Sequence, residues 1–179
     1  GLISPAEFIG VAEQTGAIGE LGRWILNEAC RQFQEWVGQS SRVGDWFISV
    51  NISGHQLRRG DLFHDVTTAI TASGIDPRCL VLELTESVLM DNTEHAIGVL
   101  GTIRDLGVRI AIDDFGTGFS SLAYLKRLPV DVLKLAAPFV HGLSGGDEPL
   151  TGAIIHMSRT LGLDVVAEGI EHRSEANSL

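Results

Sequence analysis

Positive charge is scarce in this sequence. Lysine and arginine together number 13 against 23 aspartates and glutamates, a formal net charge of -10. That balance excludes a general nucleic-acid surface, which needs a basic face, so no binding to a DNA or RNA polymer is expected. It leaves room for one small anionic substrate, provided metal ions neutralise the phosphates locally. Cysteine is nearly absent. Cys30 lies in a helical pattern and Cys79 just before a strand, each among apolar residues. Both read as buried free thiols, which suits a reducing compartment such as the cytoplasm. No apolar run is long enough to span a bilayer, and no signal peptide opens the chain. No segment has the composition of a low-complexity or disordered tract.

Several catalytic signatures are missing as well. There is no Gly-x-Ser-x-Gly elbow and no Cys/His pairing for nucleophilic catalysis. The six histidines (His55, His64, His95, His141, His156, His172) show no metal-ligand spacing and read as surface or packing residues. Asn51-Ile52-Ser53-Gly54 is not the Gly-rich phosphate loop that a Rossmann sheet places after its first strand.

What is present is a chain of 179 residues, 44% hydrophobic, that suits one domain with a sizeable core. Ser4-Pro5 with Glu7 starts a first helix. A second helix runs from about Gly19 to Val37. Trp46 to Ile52 reads as a strand from its β-branched and aromatic residues. Helices follow at Leu62–Ser73, Asn92–Leu106, Ser120–Leu128 and Glu148–Leu161, and another begins at Glu171. Between them lie strands at Cys79–Leu84, Val108–Ile112, Val132–Leu135 and Asp164–Ala167. This regular alternation predicts parallel strands with right-handed crossovers. An open doubly wound sheet and a barrel both satisfy it. Asp114-Phe115-Gly116-Thr117-Gly118 resembles a phosphate loop only superficially, because two acids precede its glycines and would repel a phosphate unless a metal intervenes. The barrel is the better reading, with about three of its eight strands outside this stretch.

Polar groups stand at the C-terminal end of every expected strand: Asn51, then Glu83 and Glu86, then Asp113 and Asp114, then Lys134, then Glu168. Barrel enzymes carry their catalytic groups on this rim. Carboxylate and amide oxygens suit a hard divalent cation such as Mg²⁺ or Mn²⁺. Two adjacent acids are unfavourable neighbours unless a cation or proton compensates them. Two metals sharing such a pair can activate a water and stabilise the leaving oxygen of a phosphodiester. Lys134 adds a positive donor, and Glu168 a ligand or general base. Gly116 and Gly118 let the backbone after the acids turn sharply and approach a ligand.

At these residues the sequence resembles the EAL-domain family, the bacterial cyclic di-GMP phosphodiesterases. The matching stretches are Pro5–Gly16, Ser49–Ser53, Leu82–Ser87, Ile110–Leu135 and Val165–Glu171. The resemblance implies a single, partial EAL domain over residues 1–179. It implies a modified (β/α)₈ TIM barrel that is incomplete here, with the first strand and the last two strands missing. It implies hydrolysis of cyclic di-GMP to linear pGpG with Mg²⁺ or Mn²⁺, through two metals. Asn51, Glu83 and Asp113 would be metal ligands, and Asp114 would hold the second metal. Lys134 would position the nucleophilic water, and Glu168 would be the general base or a metal-associated acid. Glu86 would anchor the loop after Asp113-Asp114, and Glu171 would support the site from behind. A homodimer is implied, attached to GGDEF or sensor domains, in the cytoplasm or as the cytoplasmic part of a membrane-bound sensor protein.

The chain also departs from the family. The Glu-x-Leu motif of the first strand and the downstream Gln-Gly-Tyr region lie outside it. Ala136 replaces the aspartate of a usual Leu-Lys-Ile-Asp, and Ala137 stands where a basic residue is common. His172 and Glu175 stand where Thr and Gln are usual. Ala136 supports an alternative, a catalytically degenerate domain that binds cyclic di-GMP or a partner protein as a sensor or scaffold.

Overall fold

A computed structural model of the chain describes residues 3–39, 46–116, 122–141 and 148–179. The chain forms two compact units, one of residues 1–82 and 94–109, the other of residues 83–93 and 110–179.

The first unit contains helices α1 (Pro5–Thr15), α2 (Ile18–Gln39), α3 (Gly54–Arg59) and α4 (Leu62–Ser73), strand β1 (Ile48–Asn51) and the opening of β2 (Leu80–Thr85). Helix α6 (Thr93–Arg104) belongs to it too, whereas α5 (Glu86–Asp91) belongs to the second unit. The buried stripe of α2, carrying Leu26, Cys30 and Phe33, recurs at helical spacing. Gly16 and Gly74 end α1 and α4 in the left-handed conformation that glycine adopts without a Cβ penalty. The second unit contains β3 (Arg109–Phe115), α7 (Leu122–Leu125), β4 (Val132–Leu135), α8 (Ala137–His141), α9 (Glu148–Thr160), β5 (Asp164–Ala167) and α10 (Arg173–Ser178). Every residue of β4 is buried, as expected for a strand covered on both faces.

The five strands hydrogen-bond in chain order, β1-β2-β3-β4-β5. β3 runs parallel to β4, and β4 to β5. Sequential parallel strands with intervening helices match the incomplete α/β barrel class expected from the sequence.

Several boundaries differ from the sequence reading. β1 begins at Ile48, and Trp46 and Phe47 precede it as exposed residues. Aromatic propensity describes fit to a half-buried pleated surface, which these rings do not have here. β2 begins at Leu80 because Pro77, with the Asp76 carboxylate accepting the Arg78 N–H at 3.0 Å, starts a 3₁₀ turn that takes in Cys79. Cys30 is buried, and that burial pushes its thiol up to about 11. Cys79 is only half-buried, a correction to the expectation of two buried thiols. β3 continues through Asp113 and Asp114 to Phe115 rather than stopping at Ile112. Of the helix expected at Ser120–Leu128, Leu122–Leu125 is helical among the described residues. The N–H groups of Arg127 and Leu128 both reach back to the Tyr124 carbonyl, at 2.9 and 3.1 Å, closing the helix before Pro129. The last helix starts at Arg173 rather than Glu171. Helices α3, α5 and α8 are too short to show a period.

One packing contact in the first unit gives a direct test. A Cβ at Gly22 in α2 would collide with the Gln56 carboxamide. That carboxamide cannot swing away freely, because Gln56 is buried and its Oε1 accepts the Ser53 N–H at 3.1 Å. Gly22→Ala is expected to lower stability by about 1–3 kcal/mol, the usual cost of overpacking. Gly10→Ala, with open space around its Cβ, should be neutral or slightly stabilising. Thermal melting of both variants in the full-length protein checks this, and equal melting midpoints would refute it.

Candidate functional site

The polar residues expected at the ends of β2 to β5 all belong to the second unit. Their placement begins with the pairing of β3 and β4. Ile112 pairs with Leu133 and Phe115 with Leu135, so the register shifts between them. Asp113 and Asp114 together therefore oppose Lys134 alone, which is a β-bulge. Successive residues of a regular strand point to opposite faces. A bulge breaks that alternation and re-aims side chains, a device concentrated near active sites. Asp114 sits at φ +53°, the one described non-glycine residue with positive φ. Its N–H donates to Asp113 Oδ1 at 3.1 Å. Aspartate tolerates this left-handed conformation better than most residues.

The bulge lets both aspartates meet a third acid. Glu168 follows β5, and its N–H donates to the Leu135 carbonyl at 3.1 Å, continuing the parallel ladder. Asp113, Asp114 and Glu168 each offer a carboxylate oxygen, and these oxygens lie within 4.8 Å of one another. All donors are hard oxygens, as Mg²⁺ or Mn²⁺ requires.

Lys134 reaches the same acids from β4. Its Nζ lies 2.7 Å from Glu168 Oε1, 2.8 Å from Glu83 Oε2 and 2.9 Å from Asp113 Oδ1. Burial by itself lowers a lysine pKa. Hydrogen bonds to Glu168, Glu83 and Asp113 outweigh the burial, and the ammonium is held above its ordinary value. In this arrangement Lys134 is an ammonium at neutral pH.

Glu86 occupies the first turn of α5 and is buried. Its Oε2 accepts the Gly116 N–H at 2.8 Å, while its Oε1 has no hydrogen-bond partner among the described residues. Gly116 has φ +94°, and a Cβ there would run into the Phe139 ring. The backbone just after the acidic pair is thus held between the Glu86 carboxylate and the Phe139 ring. Gly118 lies outside the described residues.

Asn51 ends β1 in the first unit and is exposed. Glu83 is drawn to the cluster through Lys134 and is not one of the three acids whose oxygens converge. Glu171 is exposed, and its N–H donates to Glu175 Oε2 at 2.9 Å. That oxygen also accepts the His172 N–H at 2.9 Å, so buried Glu175 helps to tie down the turn after Glu168. Glu175 had stood out in the sequence only as a departure. The signal that could have found it is its spacing of three from His172, the reach of a side chain capping its own helix start.

Residues 1–179 match the model of the family described as EAL domain. The chain is 41% identical, over its whole length, to the bifunctional diguanylate cyclase/cyclic di-GMP phosphodiesterase MucR of Pseudomonas aeruginosa, covering 26% of that protein. It is 42% identical, over 96% of its length, to the cyclic di-GMP phosphodiesterase NbdA of the same organism, covering 22% of it. The chain thus spans about a quarter of the length of these curated relatives. Among solved structures, the PaMucR phosphodiesterase in complex with c-di-GMP superposes with a TM-score of 0.93 at 41% identity, over the whole chain and 72% of that structure. The EAL enzyme Bd1971, bound to cAMP and cyclic di-GMP, gives a TM-score of 0.90 at 35% identity, over the whole chain and 50% of that structure.

Proposed function

Since the chain belongs to the EAL-domain family, we propose that it is part of a metal-dependent phosphodiesterase that hydrolyses cyclic di-GMP to linear pGpG. The observation that carries this reading is the convergence of Asp113, Asp114 and Glu168 beside the Lys134 ammonium. The reading treats residues 1–179 as one partial domain of the family.

The donor set fits a hard divalent cation, Mg²⁺ or Mn²⁺, which Asp113, Asp114 and Glu168 would hold. When bound, such a cation lowers the pKa of a water and stabilises charge on a phosphodiester oxygen, and two neighbouring cations can divide these tasks. The ligand roles of Asn51 and Glu83 rest on the sequence resemblance. The Lys134 ammonium orients the carboxylates of Glu83, Asp113 and Glu168, and its role of positioning the nucleophilic water rests on the sequence resemblance. Glu168 is the candidate base. Its side chain is 39% exposed, so one oxygen can face Lys134 while the carboxylate still meets solvent. Glu86 and Gly116 fix the backbone that follows the acidic pair. Glu171 supports the site through the turn that Glu175 caps.

Ala136 favours the second reading, a degenerate domain that binds cyclic di-GMP or a partner protein without turnover. It is buried directly after β4 and puts a methyl group two residues from Lys134. A homodimer, an attachment to GGDEF or sensor domains, and a cytoplasmic location complete the proposal. No helix among the described residues is long and apolar enough to cross a membrane.

The full-length protein incubated with cyclic di-GMP and Mg²⁺ or Mn²⁺ is expected to yield pGpG, followed by chromatography. Nucleotide binding without pGpG would select the degenerate reading. Neither binding nor hydrolysis would sink both.

A further inference from the structure

Lys134 is surrounded in a way that a water-positioning role does not require. It lies in a strand whose neighbours Leu133 and Leu135 are fully buried, and it is itself only 9% exposed. An ammonium has three N–H donors and no acceptor. All three find a carboxylate: Glu168 at 2.7 Å, Glu83 at 2.8 Å and Asp113 at 2.9 Å. These acids come from β2, β3 and the turn after β5, so the ammonium links three separate segments of the second unit. Without a cation among them, carboxylates this close repel one another. Two of the three, Asp113 and Glu168, also belong to the group whose oxygens converge with those of Asp114.

We propose that Lys134 is an internal counter-cation that holds Glu83, Asp113 and Glu168 assembled before any metal arrives and competes with the divalent cation for their oxygens. The inference rests on the metal site proposed above but not on its substrate. Two consequences follow from the charges. The site keeps its shape without metal because one positive charge is built into the strand. The same charge weakens cation binding, since each oxygen shared with the ammonium is a poorer ligand, and competition of this kind is reciprocal. Lys134 is thus a positioning residue that sets the cation concentration at which the site fills.

The test uses full-length protein stripped with a chelator, with Mn²⁺ alone as the probe. Free Mn²⁺ is measured by electron paramagnetic resonance, and the binding lost in Asp113→Asn is assigned to this site. Lys134→Met is expected to melt several degrees below wild type without metal, to recover with Mn²⁺, and to bind Mn²⁺ about tenfold more tightly at the Asp113-dependent site. Lys134→Gln removes the charge but keeps N–H donors for the carboxylates, so it decides the matter should Lys134→Met not fold. It too should bind Mn²⁺ more tightly than wild type. A merely structural lysine would lower the melting midpoint without tightening Mn²⁺ binding. Equal or weaker Mn²⁺ affinity in the folded variants overturns the proposal, as does the lack of any Asp113-dependent Mn²⁺ binding in wild type and variants alike. Tighter binding in the variants with no pGpG from wild type leaves this inference standing and removes the phosphodiesterase reading.

Discussion

Asp113→Asn is expected to lower kcat for cyclic di-GMP hydrolysis by about 100- to 1,000-fold, a loss comparable to removing one preorganised charge-stabilising group from an active site. The substitution keeps the size of the side chain and one carbonyl oxygen. That oxygen can still accept the Asp114 N–H, which now lies 3.1 Å from Asp113 Oδ1. What disappears is the negative charge from a residue that lies beside Asp114, Glu168 and Lys134. The variant should fold, and its Asp113-dependent Mn²⁺ binding should vanish with its turnover. Steady-state kinetics with Mg²⁺ and with Mn²⁺ check the effect. Turnover within tenfold of wild type would remove Asp113 from the cation site.

Glu86→Ala should lower kcat by about 100-fold, with a much smaller effect on stability. The carboxylate is not one of the converging acids. It holds the Gly116 N–H, two residues beyond Asp114, at 2.8 Å. Without that acceptor the backbone after the bulge is free to shift, and misplacement by about 1 Å can cost 100-fold in rate. The stability cost is limited, because Glu86 Oε1 is buried with no hydrogen-bond partner among the described residues. Removing a poorly satisfied buried carboxylate relieves a desolvation penalty while losing some packing. Glu86→Gln supplies the control. Its carbonyl oxygen can still accept the Gly116 N–H, so it should retain most of the activity. If Glu86→Ala and Glu86→Gln show equal kcat, the anchoring role is wrong.

How far each feature could be read in advance follows from its range along the chain. α4 (Leu62–Ser73) and β4 (Val132–Leu135) coincide with their sequence expectations, because an apolar period and a clear stop specify them locally. The 3₁₀ turn at Pro77–Cys79 displaces the expected start of β2, because local hydrogen bonds override composition there. In the sequence Glu175 marks only a departure from the family, yet it accepts the N–H groups of Glu171 and His172. Its importance depends on a turn conformation that one residue type does not disclose.

The acidic residues, their order at successive strand ends and the oxygen-rich donor chemistry were determined by the sequence alone, since each depends on residue type and strand period. The tertiary structure alone decided that the carboxylates of Asp113 and Asp114 converge with that of Glu168. In an unbroken strand, one of two adjacent side chains would face away from the other. The register shift between Ile112–Leu133 and Phe115–Leu135 sets both acids against Lys134. The partnership of Lys134 with Glu83, 51 positions away, likewise exists only once the chain has folded. A parallel ladder is specified by hydrogen bonds between distant segments, and no local pattern in either strand encodes where it will slip.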